Sequence, residues 1–220
     1  MDKVIIIGAR GDGHAKVVLE IIQAEGRYQV VGFVDDNLFQ AGVTIRDIPV
    51  IGKVADLELL KTRYDLHGAM VAIGDNRARR HLGTRIKEAG LQLVNAIHPT
   101  VHLDSDVVVG QGICLCQGVI VVAGTRIGHS VNIHTGATID HDNMIGDGAN
   151  LGPGVHTAGR VTIGKDAFLG TGTLVIPDCS VGEGVIAGAG TVIIGTVEPY
   201  CKIVGNPARL IQKLNKPTSC

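Results

Sequence analysis

The sequence has few aromatic residues and no charge imbalance. Phenylalanine, tyrosine and tryptophan make up 3% of its 220 residues, and tryptophan is absent. The 20 basic and 21 acidic residues nearly cancel, and no long run carries a single sign. This excludes the broad electrostatic surface that binding to nucleic acid or an anionic membrane requires. Any bound phosphate must therefore be held by local groups.

Long hydrophobic runs and a disulfide pattern are also missing. Only four consecutive apolar residues, Val4–Ile7, precede Gly8, far fewer than a signal peptide or a membrane span of roughly 20 residues contains. The five cysteines are odd in number and lack paired zinc-binding spacing, which fits a reducing compartment. We therefore expect a cytoplasmic protein with no nucleic-acid or membrane partner, whose cysteines fill apolar space.

Glycine and aliphatic residues dominate, and the aliphatic residues recur with a fixed period. The chain has 31 glycines and is 45% hydrophobic. When every sixth residue is taken from Ile97 to Ile193, 15 of the 17 positions are Ile, Leu or Val, and the series has no insertion. The exceptions are Thr157 and Ala187. The position four residues later is mostly small or β-branched. This is the hexapeptide pattern of a parallel β-helix.

The repeat also accounts for the shortage of aromatic rings. Each six-residue unit supplies a short strand and a turn, three units close a coil of about 18 residues, and coils stack at about 4.8 Å. The narrow interior accepts aliphatic and small side chains in ladders but has little room for rings. We therefore predict an all-β domain, a β-helix, over residues 96–198.

The first 95 residues follow a different pattern. Short apolar runs at KVIIIG, YQVVGFVDD and AMVAIG alternate with the helical patterns GDGHAKVVLEIIQAEG and NRARRHLGTRIKEAG. This alternation predicts a small parallel α/β, Rossmann-like domain over residues 1–95. The hexapeptide period breaks at Pro199, and residues 199–220 are predicted to form a final turn and a short helix.

A titratable cluster, Asp140, His141 and Asp142, lies at a corner of the predicted coil. One coil later comes Gly159, whose main-chain N–H is expected about one strand spacing from the imidazole. Acyl transfer requires such a pair, because the base takes a proton and the donor stabilises the oxyanion. Either aspartate could orient the imidazole, and Asp142 is favoured. Taken alone, His141 could also be a solvated turn residue.

Asn143 is the one amide at the second inward position of the repeat. A buried amide requires hydrogen-bond partners. Asn143 could therefore support the site or only bond neighbouring backbone.

A glycine-rich loop follows the first predicted strand and opens the first helix. Its main-chain N–H groups at Gly8, Gly11 and Gly13, together with the helix dipole, can face a phosphate. The spacing is not that of dinucleotide-binding enzymes, because Arg10 stands where their second glycine would be. The loop therefore disfavours NAD.

Polar residues end the next two predicted strands. Asp35 and Asp36 end the second strand, and Gly74, Asp75 and Asn76 end the third. At the carboxyl ends of parallel strands these residues can bind a nucleotide, although such residues also form ordinary turns. We interpret the arginines of the next helix as a solvated face: Arg77, Arg79 and Arg80.

Several motifs together carry a family resemblance: GARGDGHAKVV, GFVDD, VAIGDN, the hexapeptides with IDHDNMIGDG and the terminal GNPAR. Over essentially the whole chain they resemble the sialic acid and nucleotide-sugar acyltransferase family, which includes enzymes that N-acetylate nucleotide-linked 4-amino sugars. The resemblance implies a left-handed β-helix and a homotrimer with acetyl-CoA between neighbouring subunits. It also implies that the N-terminal domain binds the nucleotide of the sugar substrate.

The resemblance further implies roles for individual residues. His141 matches the proposed general base, Asp142 its acidic neighbour, and Gly159 the amide that faces the acetyl carbonyl. His14 is expected near the nucleotide-sugar, reaching the site of an adjacent subunit. The expected acetyl-CoA-binding residues are Gly159, Ala158, Asn206 and Pro207. The expected substrate-binding residues are Gly11, Gly13, His14, Asp35, Asp36, Gly74 and Asn76. No metal is expected.

The sequence therefore predicts an acetyl-CoA-dependent N-acetyltransferase of polysaccharide biosynthesis, acting on a UDP-, GDP- or dTDP-linked 4-amino-4,6-dideoxy sugar. The alternative is O-acetylation of sialic acid or another sugar. A zinc β-helix of the carbonic anhydrase type is a remote alternative, because His98 and His134 lie two coils, or about 10 Å, apart. A non-catalytic scaffold, also remote, would not need the His141 cluster.

Overall fold

The computed structural model describes residues 1–8, 13–37 and 43–216. The chain divides into two compact units. The first comprises Met1–Pro99 with Gln111–Cys114, and the second comprises Thr100–Gly110 with Leu115–Cys220.

The first unit is built on a mostly parallel sheet. The strands of this unit are β1 (Asp2–Ile7), β2 (Tyr28–Val34), β3 (Thr44–Ile45), β4 (Ile48–Gly52), β5 (Gly68–Val71), β6 (Gln92–Leu93) and β7 (Ala96–Ile97). Its helices are α1 (His14–Glu25), α2 (Leu57–Tyr64), which follows a 3-10 turn at Val54–Asp56, and α3 (Asn76–Glu88). The sheet order is β3-β4-β2-β1-β5-β6, with only β3 and β4 antiparallel among these described pairs. The predicted strands and helices are confirmed for the described residues, while α2, β3, β4 and β6 were not predicted.

Local sequence explains the main elements of this unit. The apolar run Val4–Ile7 in β1 is buried, as expected for a central strand covered on both faces. Helix α1 buries one stripe that includes Val18, Leu19 and Ile22. It ends at Gly26, whose left-handed backbone (φ 71°) lets its N–H bond to Ile22 O at 3.2 Å.

The carboxyl ends of β1, β2 and β5 meet at one edge of the sheet. Gly8 follows β1 and donates its N–H to Val34 O at 2.9 Å. Ala72 follows β5 and donates its N–H to Ile7 O at 2.8 Å. Strand β1 is flanked on its two sides by β2 and β5, so this edge is the switch point where open α/β sheets bind ligands.

The second unit consists mainly of two-residue strands separated by turns. These strands are β8 (His102–Leu103), β9 (Val108–Val109), β10 (Cys114–Leu115), β11 (Ile120–Val121), β12 (Arg126–Ile127), β13 (Asn132–Ile133), β14 (Thr138–Ile139), β15 (Met144–Ile145), β16 (Asn150–Leu151), β17 (His156–Thr157), β18 (Thr162–Ile163), β19 (Phe168–Leu169), β20 (Leu174–Val175), β21 (Ser180–Val181), β22 (Ile186–Ala187) and β23 (Val192–Ile193). Two longer strands, β24 (Cys201–Val204) and β25 (Arg209–Lys213), follow them.

Every third short strand belongs to the same face of a parallel β-helix. The three sheets contain the runs β22-β19-β16-β13-β10, β23-β20-β17-β14-β11-β8 and β21-β18-β15-β12-β9. Parallel partners are 18 residues apart, as in Ile120 with Thr138 and Ile139 with Thr157. The repeating aliphatic positions from Val121 to Ile193 are buried. The predicted fold class, an α/β domain followed by a β-helix, is confirmed.

The predicted C-terminal helix is wrong for the described residues. Strand β25 pairs antiparallel with β24, with Lys202 opposite Gln212 and Val204 opposite Arg209. A helix of this length is marginal in water, whereas the edge of β24 offers main-chain hydrogen bonds to a returning strand. The helical pattern of these residues therefore yields to sheet pairing.

Candidate active site

The parallel pairing of β14 with β17 places His141 and Gly159 in adjacent coils at one corner. His141 lies two residues after β14, and Gly159 lies two residues after β17. The Arg160 N–H bonds to His141 O at 2.9 Å, which ties the two coils together at this point. The structure therefore brings the two residues together as the repeat predicts.

The two aspartates beside His141 have different partners. Asp142 Oδ2 lies 2.8 Å from His141 Nδ1, whereas Asp140 Oδ1 accepts the main-chain N–H of His141 at 2.8 Å. An ionised carboxylate only accepts, so a neutral His141 carries its proton on Nδ1 and leaves the lone pair on Nε2. The contact to the ring is thus made by Asp142, and the ring is 43% exposed.

The His141 ring lies directly against Gly159. A Cβ built on Gly159 would overlap Nε2 and Cε1 of the ring. Among the hydrogen bonds of the described residues, none is donated by the Gly159 N–H. In the preceding coils the corresponding N–H groups of Ala123 and His141 each donate to an aspartate. The basic nitrogen and an available main-chain donor therefore lie side by side.

Asp142 is held in place by the coil before it. Its backbone is left-handed (φ 56°), and its N–H bonds to Ala123 O at 2.9 Å. Its Oδ1 packs against Gly124, where a Cβ would overlap it. The absence of a side chain at Gly124 thus leaves room for the carboxylate that contacts His141.

An ion pair continues the same corner beyond Asp142. Arg160, 18 residues later, bonds Asp178 through Nε at 2.7 Å and Nη2 at 2.9 Å. The hydrogen bond raises the pKa of Arg160 and lowers the pKa of the Asp178 carboxyl from their ordinary values. Sequence reasoning missed this pair, although the 18-residue step from Asp142 leads to both residues.

A cavity of about 430 Å³ lies at the carboxyl edge of the first unit's sheet. Its lining includes Gly8, Asp35, Asp36 and Gly74. Asp35 Oδ1 accepts the Asn37 N–H at 2.9 Å, which forms a local turn. Three of the predicted substrate-binding residues, Asp35, Asp36 and Gly74, therefore line one cavity.

Helix α3 begins beside this cavity and contains a buried charge. Asp75, also in the lining, accepts the Ala78 N–H at 2.8 Å and caps the helix. Arg79 is 0% exposed, and its Nη1 donates to Ile73 O at 3.0 Å while Nη2 donates to Asn76 Oδ1 at 3.0 Å. The interpretation of Arg79 as part of a solvated face is therefore wrong, because the Arg79 side chain is buried and bonds the main chain just after β5.

The remaining predicted site residues lie elsewhere. Gly13 has a left-handed backbone (φ 89°) and precedes His14, the first residue of α1, while Gly11 lies outside the described residues. Asn206 and Pro207 lie in the turn between β24 and β25. This turn is anchored to β23, because Ala208 N–H bonds to Val192 O at 2.8 Å. Strand β23 is three strands beyond β14 on the same sheet, about 14 Å along it.

Two further features of the described residues bear on the alternatives. They contain no group of three or more histidine, cysteine, aspartate or glutamate side chains arranged to hold a metal ion. None of their helices is long and apolar enough to cross a membrane. The cytoplasmic location stays a prediction.

Comparison with known proteins places the chain in a family. Residues 3–86 match the PglD N-terminal domain. A variant of perosamine N-acetyltransferase from Caulobacter crescentus, solved with CoA and GDP-perosamine, is 38% identical; the match covers 96% of this chain and 98% of that chain, with a TM-score of 0.90. The acetyltransferase domain of PglB from Neisseria gonorrhoeae, solved with acetyl coenzyme A, is 34% identical over 95% of this chain and 98% of that chain, with a TM-score of 0.87. A search of curated protein sequences gave no significant match.

The α/β unit followed by the β-helix, together with these relatives, defines a hexapeptide-repeat acyltransferase. The chain belongs, more narrowly, to the nucleotide-sugar acetyltransferases of the sialic acid and nucleotide-sugar acyltransferase family. The predicted family is therefore confirmed.

Proposed function

We propose that this chain transfers the acetyl group of acetyl-CoA to the amino group of a nucleotide-linked 4-amino-4,6-dideoxy sugar. The observation that carries the proposal is the placement of His141 Nε2 beside Gly159, whose N–H donates to no group among the described residues. Structures of two relatives contain CoA with GDP-perosamine or acetyl coenzyme A, which supports the choice of substrates.

The corner supplies the two groups that aminolysis of a thioester needs. The sugar amine attacks the acetyl carbon, and the carbonyl oxygen becomes an oxyanion that accepts the Gly159 N–H. His141 Nε2 then takes a proton from the ammonium of the adduct. The C–S bond breaks, and the proton passes from the imidazolium to the departing thiolate, which leaves as CoA thiol while the new amide remains on the sugar.

Asp142 supports the proton transfer through the other side of the ring. Its carboxylate fixes Nδ1 as the protonated nitrogen and stabilises the imidazolium that forms on His141. Because both side chains are partly exposed, an incoming amine can reach Nε2 from solvent.

The cavity of the first unit is the proposed nucleotide site. Its volume is within the range of small-molecule pockets, about 300 to 1,000 Å³. The carboxylates of Asp35 and Asp36 can accept hydrogen bonds from a ribose or a base. Helix α1 has no acidic residue in its first turn, and the positive end of its dipole favours a phosphate. We place Gly13 and His14 at that end.

We also propose that the protein is a homotrimer with acetyl-CoA between subunits. Two sheets of the β-helix expose large apolar side chains at outward positions: Ile120 and Leu174 in one, Val108 and Met144 in the other. Polar side chains lie between them, such as Arg126 between Val108 and Met144. A mixture of apolar and polar surface fits a subunit interface. We place Asn206, Pro207 and Ala158 along the acetyl-CoA path. Light scattering of the purified protein tests the assembly, and a monomer at micromolar concentration would contradict it.

The activity is tested with acetyl-CoA and a panel of acceptors, followed by release of free thiol. The panel contains GDP-, UDP- and dTDP-linked 4-amino sugars and free sialic acid, with GDP-perosamine first because a relative was solved with it. We expect one amino sugar to react and the variant H141A to lose most turnover while still binding acetyl-CoA. Reaction with sialic acid alone would establish O-acetylation instead, and full turnover by H141A would remove His141 from the mechanism.

A further inference from the structure

A fully buried amide lies behind the corner that carries His141 and Gly159. Asn143 is 0% exposed, and its Nδ2 donates to Asp140 O at 2.9 Å, His141 O at 3.1 Å and Ala158 O at 2.9 Å. All three partners are carbonyl oxygens, which only accept, so the atom that faces them must be the nitrogen of the amide. One side chain thus binds main-chain groups of both coils.

The contact to Ala158 determines the direction of the Gly159 N–H. Ala158 C=O and Gly159 N–H belong to the same peptide group, which is planar and trans, so the two bonds point in opposite directions. Asn143 draws the carbonyl toward the interior of the β-helix, and the N–H must therefore point outward. A hydrogen bond to the carbonyl also polarises the N–H and makes it a stronger donor.

We propose that Asn143 is a positioning residue that aims the Gly159 N–H at the oxyanion of the acetyl-transfer reaction. The same amide binds the carbonyl of His141, so it holds the base and the donor in one fixed relation. This inference rests on the proposed function, because it assumes that the Gly159 N–H stabilises the oxyanion. Asn143 itself has no contact with solvent and acts only through these carbonyl groups.

The chain itself shows what a shorter side chain achieves at this position of the repeat. Thr173 occupies the equivalent place on another face, where its Oγ1 donates to Gly170 O in its own turn at 2.7 Å. Its contact with Gly188 O in the next coil is 3.4 Å. Gly170 precedes Thr173 by as many residues as Asp140 precedes Asn143. Gly188 likewise follows Thr173 by as many residues as Ala158 follows Asn143. Thr125, one coil before Asn143, instead donates to the next coil, at Asp140 O (2.9 Å). A threonine therefore makes one short contact, with its own turn or with the next coil, whereas asparagine reaches both.

The effect of removing the Asn143 amide on the orientation of the Gly159 N–H can be separated from its effect on the stability of the protein. Asp140 O also accepts Thr125 Oγ1 at 2.9 Å, and His141 O also accepts the Arg160 N–H at 2.9 Å. Removal of the amide therefore chiefly deprives Ala158 O of its donor. The change also removes Asn143 Oδ1, which is buried without a hydrogen-bond partner among the described residues. The net loss of stability is expected to be small.

The test compares N143V and N143T with wild type and with the control T173V, which removes a buried hydrogen bond on another face. Turnover is measured with acetyl-CoA and the amino sugar identified above. We expect N143V to lower kcat by about 10- to 100-fold, approaching the loss of an oxyanion donor. N143T should be intermediate, since a threonine at this position makes only one of the two short contacts. We expect the KM of the Asn143 variants for acetyl-CoA to stay within about threefold, because they remove no group that touches the substrate. We expect T173V to keep the wild-type kcat for the same reason.

A spectroscopic measurement tests the orientation directly. Isotope-edited infrared spectra of bound acetyl-CoA labelled with ¹³C at the carbonyl report how strongly a donor polarises that bond. The carbonyl band should shift toward its free position in N143V and remain at the wild-type position in T173V. A merely structural role of Asn143 would lower the melting temperature without moving this band.

The outcomes separate this inference from the proposed function. Wild-type kcat in N143V, or in N143A should N143V not fold, overturns the role of Asn143 while leaving His141 and Gly159 in place. An equal loss of kcat in T173V also overturns it, because any buried hydrogen bond would then have the same effect. If the wild type transfers no acetyl group, or H141A keeps full turnover, the proposed function fails first and the inference falls with it.

Discussion

Gly159→Ala should disable the base without unfolding the protein. The substitution adds one Cβ, which would overlap Nε2 and Cε1 of His141. The main chain cannot easily yield, because the Asp178 N–H bonds to Gly159 O at 3.2 Å and the Arg160 N–H bonds to His141 O at 2.9 Å. The imidazole must therefore rotate away, which breaks its 2.8 Å contact with Asp142.

The size of the effect follows from the groups that move. A general base contributes typically 10²- to 10⁴-fold, so kcat of G159A should fall by about 100-fold or more. The hydrogen bond lost between His141 and Asp142 is partly exposed, so the free energy of unfolding should fall by no more than about 1 kcal/mol. Thiol release at saturating substrates and a urea titration measure the two quantities.

The matched control is Gly195→Ala. Gly195 lies two coils beyond Gly159 in the same column, and a Cβ there would meet nothing within 4 Å. We expect G195A to retain the turnover and stability of the wild type. Near-normal kcat in G159A would refute the reasoning, because the base would then tolerate a side chain where the structure leaves no room. Equal losses in both variants would point to a general effect of alanine at this corner.

Three further changes test neighbouring parts of the structure. Gly124→Ala should displace the Asp142 carboxylate and lower kcat. It should also lower the melting temperature, because φ at Gly124 is 73°, a left-handed backbone that alanine disfavours. Unchanged kcat would contradict this placement of Asp142. Arg160→Met should raise the pKa of Asp178 toward its ordinary value by removing the hydrogen bond that lowers it, which a carbon-13 NMR titration measures; an unmoved pKa would argue against the ion pair. Thr157→Val should stabilise the β-helix by about 1 kcal/mol, since Thr157 Oγ1 is buried without a partner among the described residues. A lower urea midpoint would show that this hydroxyl is satisfied.

The repeat made the β-helix and the main pair of the site predictable. A strict six-residue period fixes the register of successive coils, so the side chains that face inward and the residues that share a corner follow from counting. His141 and Gly159 could be paired in this way. The same counting would have found Arg160 and Asp178, since both lie on the 18-residue step from Asp142.

Contacts that depend on side-chain direction could not be predicted by counting. Asp140 and Asp142 both adjoin His141 in sequence, and the left-handed backbone of Asp142 directs its carboxylate to the ring. Similarly, no period indicates that Arg79 turns inward to bind Ile73 O. The C-terminal segment was mispredicted because the free edge of β24 outweighs the helical preference of a short sequence.

The sequence by itself determined the two architectures and the column in which the proposed catalytic groups lie, because hydrophobic periodicity fixes which residues face inward in each coil. Only the tertiary structure decided which carboxylate contacts His141, where Asn143 donates its hydrogen bonds and which predicted residues line the cavity. These outcomes depend on the direction of each side chain and on its distance from groups in adjacent coils or strands. Such distances are set by main-chain hydrogen bonding and packing, which the order of residues along the chain does not display.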